Sequence, residues 1–283
     1  MTILLLDGYN LLFRSFASLP SSIRDADGRS INAVYGMLAA IVRMIRELDP
    51  SHIAAAFDEP ETPTFRHRLY AAYQAQRGPL GGEQAEEFRR QVEVAMEALP
   101  RLGVPALSKP GYEADDVLGT LAVQVARSGN LAILVSTDRD LLQLVGPGVE
   151  VLPPGTKAIR VRDEAGVRAR LGIPPHAVPT FKALAGDASD NIPGVRGIGS
   201  KTAIGLVDDY GDLDSIYENL ERIPTRTSTA LARDREAAYL FRDLATIVTD
   251  LPLPVNVENL PRPELDAGSR AGTLLTRLGY RSS

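Results

Sequence analysis

Three short apolar runs in the chain have the length and composition of buried parallel strands: residues 2–6, 52–57 and 131–135. Between these runs lie stretches in which apolar residues recur every three or four positions, the spacing of one helix face: residues 33–47, 85–102 and 115–127. Strands that alternate with helices predict an α/β fold, with a mainly parallel central sheet flanked by helices.

An aspartate follows each apolar run: Asp7, Asp58 and Asp138. Ligands of open parallel sheets bind at the carboxyl ends of the strands, so this topology brings the three carboxylates to one edge. Residues 59–82 are polar, rich in turn-forming residues and too long for an ordinary loop, which predicts a functional segment. The pattern becomes helical after Pro174. We therefore expect an α/β core over residues 1–173 and a mainly helical region over residues 174–283.

Composition excludes several kinds of site and partner. The 283 residues include no cysteine, so thiolate zinc sites, disulfides and cysteine nucleophiles are impossible. No apolar run is as long as a membrane span, and the N-terminus lacks the basic region of a signal peptide, so we expect a cytoplasmic protein with no membrane partner. The net charge of −5 argues against a nucleic-acid partner, but without the nine acids of the motifs the chain is net positive.

Three motifs add six more acids to the set: Glu113, Asp115, Asp116, Asp140, Asp187 and Asp190. Glu113 and Asp116 share a helix face, whereas Asp115 points elsewhere on a regular helix, so convergence of all three requires an irregular first turn. Asp138 and Asp140, two apart in extended chain, can face the same ion. Taken singly, such acids are usually helix-start charges, turns or caps. Taken together, they predict a metal site.

The chemistry of this set points to phosphoryl transfer. Hard oxygen ligands without cysteine or clustered histidine suit Mg²⁺ or Mn²⁺ better than Zn²⁺. So many carboxylates cannot stay ionised together without cations. Two divalent cations roughly 3.5–4 Å apart can clamp both oxygens of an in-line displacement and activate the attacking water. The sequence therefore predicts a metal-dependent phosphodiesterase that needs no protein general base.

A glycine-rich motif occupies residues 192–203, Ile-Pro-Gly-Val-Arg-Gly-Ile-Gly-Ser-Lys-Thr-Ala. Its glycines allow tight turns and close approach of the backbone to a ligand. A helix that begins near Ser200 would offer free N–H groups to a phosphate, and Lys201 would add positive charge. The spacing fits neither a P-loop nor a dinucleotide-binding fingerprint. A plain helix–helix turn is the structural alternative to a motif that binds the DNA backbone without reading sequence.

These motifs together resemble the 5′-nuclease (flap endonuclease) family in its bacterial form, which includes the N-terminal nuclease domain of DNA polymerase I and stand-alone homologues. The matching pieces are Leu-Leu-Asp-Gly, Phe-Asp, Phe-Arg-His, Gly-Tyr-Glu-Ala-Asp-Asp, Thr-Asp-Arg-Asp-Leu, Ala-Leu-Ala-Gly-Asp-Ala-Ser-Asp-Asn-Ile-Pro-Gly and Gly-Ile-Gly-Ser-Lys-Thr-Ala. They keep the family's order over about residues 1–215, with weaker likeness to the end.

The resemblance implies a PIN-like 5′-nuclease core, a helical arch at about residues 59–102 and a helix-three-turn-helix motif at about residues 186–215. It also implies cleavage of 5′ flaps and 5′-3′ exonuclease action on DNA with a flap, a branch or a free 5′ end, in replication and repair. Two Mg²⁺ or Mn²⁺ ions would be held by nine carboxylates: Asp7, Asp58, Glu113, Asp115, Asp116, Asp138, Asp140, Asp187 and Asp190.

Further roles follow from the same resemblance. Asp115 would bridge the two ions, and Arg14 and Arg77 would supply positive charge at the reacting phosphate. The carbonyls of Val195 and Ile198 would hold a K⁺ ion. The DNA contacts implied by the resemblance are Arg14, Arg66, Tyr73, Gln74, Arg77, Lys182, Gly197, Gly199, Lys201 and Thr202.

One departure from the family pattern and two alternative functions stay open. Family members usually carry lysine where this chain has Gln74, which puts the rate of cleavage in doubt. A PIN-type ribonuclease would share the acid-tipped sheet but lacks the glycine-rich motif. A non-catalytic DNA-binding module is the other alternative, and Gln74 is its only support. We expect a monomer that works with a DNA polymerase, either in trans or as a fused domain.

Overall fold

The computed structural model describes residues 1–59, 62–76, 81–155, 159–263 and Thr273. Five strands form one sheet in the order β3-β2-β1-β4-β5, and every neighbouring pair is parallel. The strands are β1 (Thr2–Asp7), β2 (His52–Ala56), β3 (Ala106–Leu107), β4 (Leu131–Val135) and β5 (Val149–Leu152). The mainly parallel sheet expected from the apolar runs is confirmed.

α-Helices cover both faces of the sheet and continue into the C-terminal part of the described chain. They are α1 (Gly8–Ser18), α2 (Asn32–Leu48), α3 (Phe65–Leu69), α4 (Gly82–Ala98), α5 (Ala114–Arg127), α6 (Glu164–Leu171), α7 (Val178–Ala185), α8 (Ser200–Tyr210), α9 (Leu213–Glu218), α10 (Thr225–Arg233) and α11 (Arg235–Ala245). Among the described residues, no helix is both long and apolar enough to cross a bilayer.

The helix ends follow local chemistry. Asp49 closes α2 in the left-handed conformation, with Pro50 directly after it. The periodic stretch expected over residues 85–102 divides at Leu99, where a 3₁₀ turn follows α4. Pro100 lies in that turn and cannot donate the hydrogen bond that would continue the α-helix.

Successive side chains of a strand point to opposite faces of the sheet, and each face packs in its own hydrophobic core. Leu4 and Leu6 point to the core shared with α1, α2 and α4, while Ile3 and Leu5 point to the core shared with α5. A third core joins the helices from α7 onward, around residues such as Leu184. The sheet is therefore buried on both faces, and its carboxyl edge remains as the place for a ligand.

The region expected to form the arch contains α3, a series of turns over residues 70–76, and α4. Tyr70 and Tyr73 pack in a small apolar cluster with Ile192 and Phe241. This contact fixes the base of the region against the helical part of the chain. Arg77 lies outside the described residues.

Candidate active site

The end of β1 presents Asp7 as the N-cap of α1. Its Oδ1 accepts the Asn10 N–H at 3.0 Å, and its Oδ2 accepts the Ser136 hydroxyl at 2.7 Å. Burial raises the pKa of Asp7 from 3.8 to about 7, and the charges of Asp58 and Asp138 act in the same direction. The strand thus ends in a fixed carboxylate that is hard to ionise without a cation.

Asp58 follows β2, and its Oδ1 accepts the N–H of Ala114 at 2.7 Å. That bond ties the end of β2 to the first residue of α5. Glu113, the N-cap of α5, has a pKa raised to about 7 by burial and by Asp58, with Arg66 opposing the shift. The start of α5 therefore brings its acids to the ends of β1 and β2.

The three acids of the Gly-Tyr-Glu-Ala-Asp-Asp motif separate without any irregular first turn. α5 is regular from Ala114 onward. Burial raises the pKa of Asp115 well above its ordinary value, and the charges of Asp138, Asp7 and Asp140 add to the shift. Asp115 therefore faces the strand-end acids, while Asp116 points into the protein. Convergence of all three acids would have required an irregular first turn; α5 is regular, and Asp116 is bonded to Arg66 inside the protein.

Asp116 has no exposed surface, and its oxygens are fully hydrogen-bonded by the protein. They accept from Nη1 and Nη2 of Arg66 at 2.7 and 2.8 Å, from the Glu113 N–H at 3.0 Å and from the Val248 N–H at 2.9 Å. These four bonds use the acceptor positions of a carboxylate. In this arrangement Asp116 holds the start of α5, and its expected role as a metal ligand stays a prediction.

Arg66 is also committed to the protein, with 2% of its surface exposed. Beyond Asp116, its Nη1 lies 3.1 Å from Glu113 Oε2, its Nε donates to the Leu244 carbonyl, and its Nη2 donates to the Thr246 carbonyl. Four of the five guanidinium N–H groups therefore donate within the protein, and Nη1 also faces the Glu113 carboxylate. The side chain faces inward in this arrangement, and its expected contact with DNA stays a prediction.

β4 is followed by Asp138 and Asp140, which the backbone aligns through short-range bonds. The Asp138 N–H donates to the Ser136 hydroxyl at 2.9 Å, and the Asp140 N–H donates to Asp138 Oδ1 at 2.9 Å. Burial and the charge of Asp138 raise the pKa of Asp140 to about 7, although Lys182 opposes the shift. Ser136 was missed by sequence reasoning; its position between a buried strand and Asp138 was the available signal.

The loop after α7 adds the last two acids. Asp187 pairs with Ile192 through two backbone hydrogen bonds of 2.8 Å, which closes the loop. Oxygens of Asp140, Asp187 and Asp190 all lie within 4.8 Å of one another, the spacing of ligands around one ion. We call these three residues the acidic triad. Lys182 of α7, expected to contact DNA, places its Nζ against the triad.

Tyr73 and Gln74 reach the same acids from the base of the arch region. The Tyr73 hydroxyl donates to Glu113 Oε2 at 3.2 Å, while Gln74 Nε2 donates to Glu113 Oε1 at 3.3 Å and to Asp190 Oδ1 at 3.1 Å. Gln74 has a φ of +55°, and its N–H donates to the Asp190 carbonyl. Asn191, which sequence reasoning missed, donates to the Ala72 carbonyl. The arch base is thus joined to the carboxylates.

The glycine-rich motif forms a tight turn that leads into α8. Gly194 has a φ of +72°, and a Cβ there would lie 2.4 Å from the Gly186 nitrogen, so only glycine fits. Gly197, Gly199, Lys201 and Thr202 are exposed around the first turn of α8. Val195 and Ile198 are buried by side chain, and the Ile198 N–H donates to the Val195 carbonyl at 3.0 Å. Arg14 is exposed on α1.

The donor set fits the divalent cations that the resemblance implies. The groups that converge are carboxylate oxygens, the ligands of Mg²⁺ and Mn²⁺. Burial raises the pKa values of Asp7, Glu113, Asp115 and Asp140, and neighbouring carboxylates add to the shift, so a bound cation would favour their ionised forms. The cluster at the carboxyl edge of the sheet thus has the ligands of a metal centre.

Comparison with known proteins agrees with this fold and site. Residues 2–172 match the model of the 5′-3′ exonuclease N-terminal resolvase-like domain, and residues 173–268 match that of the 5′-3′ exonuclease C-terminal SAM fold. DNA polymerase I of Mycobacterium tuberculosis is 39% identical over 92% of this chain and 28% of its own length. The thermostable DNA polymerase I of Thermus filiformis is 38% identical over 98% of this chain and 33% of its own length.

Solved structures share the fold at low identity. T5 5′-exonuclease with bound zinc superposes with a TM-score of 0.74 at 20% identity, covering 98% of this chain and 100% of that one. The catalytic core of Rad2 in complex with a DNA substrate gives a TM-score of 0.59 at 15% identity, covering 97% and 87%.

The domain matches together define a class of α/β nuclease with a helical C-terminal region. The chain belongs to the 5′-3′ exonuclease family. The family expected from the sequence is thereby confirmed. The chain spans about a third or less of the length of the DNA polymerases that it matches.

Proposed function

We propose that this chain hydrolyses DNA phosphodiesters at 5′ ends and 5′ flaps, with two divalent cations, Mg²⁺ or Mn²⁺, as cofactors. The observation that supports the proposal best is the meeting of acids from the ends of β1, β2 and β4, the start of α5 and the loop after α7. A binding protein has no need of so many carboxylates with raised pKa values at one edge.

Two groups of acids would hold the ions. The first consists of Asp115 and three acids whose charges raise its pKa: Asp7, Asp58 and Asp138. The second is the acidic triad, with Glu113 beside it. Divalent cations at such sites lower the pKa of a bound water and stabilise the charge of the leaving oxygen. Asp115, whose pKa responds to acids of both groups, is the proposed bridge.

The remaining side chains position these acids and receive the DNA. Arg66 and Asp116 fix the start of α5, and with it Glu113 and Asp115. Arg14 and Arg77 would supply positive charge to the phosphate that reacts. Arg14 is exposed on α1, the helix that Asp7 caps, and this position supports its contribution.

The turn before α8 would bind the DNA backbone away from the reacting phosphate. The exposed helix start at Gly199, with Gly197, Lys201 and Thr202 beside it, offers N–H groups, a hydroxyl and one positive charge. Such contacts position a duplex without reading its sequence. A K⁺ ion held by the carbonyls of Val195 and Ile198 belongs to this proposal as a further link to phosphate.

The wider setting is also proposed from the relatives. An α/β core over residues 1–173 and a helical region over 174–283 would act as a monomer in the bacterial cytoplasm. There it would remove 5′ flaps or displaced strands during replication and repair, beside a DNA polymerase or fused to one. The relatives named DNA polymerase I support this partnership because their matching part is the nuclease portion of a longer chain.

The test is cleavage of a 5′-labelled flap substrate compared with blunt, single-stranded and RNA counterparts, in Mg²⁺ and in Mn²⁺. We expect cleavage near the flap junction that stops when EDTA is added. Preferred cleavage of RNA would favour a PIN-type ribonuclease. Flap binding without any cleavage in either metal would favour the DNA-binding module.

A further inference from the structure

Lys182 is a buried cation inside the proposed metal centre. It lies on α7 with 8% of its surface exposed, and its Nζ contacts carboxylate oxygens of Asp140 and Asp187 and lies 3.5 Å from Asp190 Oδ2. These three acids are the acidic triad, whose oxygens are close enough together to share one ion. The ammonium therefore bonds to the same oxygens that a divalent cation would need.

The electrostatics of the pocket favour this placement. Burial acts to lower the pKa of Lys182, but the charges of Asp140, Asp187 and Asp190 raise it above its ordinary value. The opposite effect is visible on Asp187, whose pKa lies below its ordinary value despite partial burial, because Lys182 is its partner. The ammonium thus neutralises part of the triad when no metal ion is bound.

Gln74, a neutral residue, also contacts Asp190, so the positive charge of Lys182 matters more for this carboxylate. Its Nε2 donates to Asp190 Oδ1 at 3.1 Å, on the other oxygen from the one that faces Lys182. An amide can satisfy that oxygen by hydrogen bonding but brings no positive charge. Asp190 therefore receives a neutral donor on one oxygen and faces the Lys182 ammonium with the other, so Lys182 contributes positive charge that Gln74 does not.

We infer that Lys182 is a resident counter-ion of the acidic triad, and that a divalent cation must displace its ammonium to occupy the triad. The inference rests on the proposed two-ion function. It makes Lys182 a positioning residue that lowers the affinity of the triad for metal and keeps the triad ordered without metal. The flexible four-carbon stem of a lysine allows such a movement without unfolding α7.

Two consequences follow for ion binding. The triad must release the Lys182 ammonium before it binds an ion, so we expect it to be the weaker of the two sites and to fill at higher metal concentration. Removing the ammonium leaves the triad with uncompensated negative charge, which strengthens the attraction for a cation and weakens the metal-free fold.

The experiment uses the full chain without DNA and titrates Ca²⁺ by calorimetry and Mn²⁺ by electron paramagnetic resonance. In Lys182→Met we expect the weaker of two sites to bind at least about tenfold more tightly than in the wild type. The melting temperature in EDTA should fall, and millimolar Ca²⁺ should restore it. Lys109→Met removes the same charge from a lysine that donates to the Pro252 carbonyl instead of to the triad, and should leave both affinities unchanged.

The outcomes separate the inference from the function on which it rests. Two ions bound with equal affinities by wild type and Lys182→Met would overturn the counter-ion role while leaving the two-ion function intact. A single ion in every variant would overturn the two-ion function itself. Lys182→Gln keeps a hydrogen-bond donor without charge; it should show the same gain in affinity, which covers the case in which Lys182→Met does not fold.

Discussion

Arg66 and Asp116 form a buried bidentate pair, with Nη1–Oδ2 and Nη2–Oδ1 distances of 2.7 and 2.8 Å, between α3 and the start of α5. Fifty positions separate the two residues in the chain. Their pairing joins the base of the arch region to the helix that presents Glu113 and Asp115. The same guanidinium donates to two carbonyls at the C-terminal end of α11, those of Leu244 and Thr246, so three parts of the fold meet at one side chain.

We predict that Arg66→Met destabilises the protein by about 3–5 kcal/mol, because it leaves the Asp116 charge buried without its partner. Chemical denaturation of the metal-free protein measures the loss. Arg168→Met is the control, since Arg168 pairs with Glu164 and Asp208 at the exposed surface, and its loss should be much smaller. Unchanged stability with weaker DNA binding would instead support the DNA contact expected for Arg66 from the family resemblance.

The sequence could predict the part of the site that topology determines. Apolar runs ending in Asp7, Asp58 and Asp138 predict three parallel strands, and parallel strands bring their carboxyl ends together. Those strands are β1, β2 and β4. The short strands β3 and β5 were missed, because two and four residues carry too little periodicity to be distinguished from loop.

What the sequence could not predict are contacts between distant segments. The inward turn of Asp116 depends on Arg66, and the position of Lys182 depends on how α7 packs beside the end of β4. A motif gives the spacing of its acids along the helix but not the partner that each side chain meets. The family resemblance therefore assigned roles to Asp116 and Lys182 but could not predict their contacts with Arg66 and with the acidic triad.

Removal of metal should make stability depend on pH in an unusual direction. The pKa values of Asp7, Glu113 and Asp140 are raised to about 7 in the folded protein, mainly by burial, from ordinary values of 3.8, 4.5 and 3.8. Between the ordinary pKa values and the raised values, the folded state therefore binds more protons than the unfolded state. Stability from these groups is present below about pH 4 and is lost as the pH rises through about 7.

We therefore predict that the melting temperature in EDTA falls between pH 5 and pH 8, even though Asp187, with its lowered pKa, acts in the opposite direction. Saturating Mg²⁺ should remove this fall, because bound cations replace the protons. Parallel thermal melts in EDTA and in Mg²⁺ across the range measure the effect. A melting temperature that rises with pH in EDTA would show that the carboxylates are balanced by the protein alone.

Asp115→Asn should stop cleavage while leaving DNA binding nearly intact. The change removes the proposed bridging ligand and one repulsive charge, so flap affinity in Ca²⁺ should stay equal or rise slightly. Loss of a residue that only hydrogen-bonds to a metal ligand typically lowers activity by ~10–100-fold. Because Asp115 is proposed as a ligand itself, the single-turnover cleavage rate should fall by more than that. Asp212→Asn, at the exposed N-cap of α9, is the matched control and should cleave normally. Retained cleavage in Asp115→Asn would remove the bridging role.

Lys201→Ala should weaken binding of all DNA sequences alike. Lys201 is exposed in the first turn of α8, where a lysine meets a phosphate rather than a base edge. The slope of log affinity against log salt should decrease by about 0.9, the contribution of one phosphate contact. Lys201→Arg keeps the charge and should keep the slope. A loss that depends on base sequence would show that the motif reads bases.

Gln74 gives the sharpest test of how this chain balances charge at its reacting phosphate. Its amide donates to both Glu113 and Asp190, so position 74 lies within the site and not on a remote part of the arch. A preorganised cation here would stabilise charge that develops as the phosphodiester breaks, and loss of such a donor can cost on the order of 10²–10³ in rate. We predict that Gln74→Lys raises the single-turnover rate in saturating Mg²⁺, whereas Gln74→Met lowers it.

Because Lys182 faces the other oxygen of Asp190, the gain from Gln74→Lys should be larger when Lys182→Met is also present. Simple additivity of the two changes would mean that positions 74 and 182 act independently, and an unchanged rate in Gln74→Lys would mean that the glutamine is a neutral replacement.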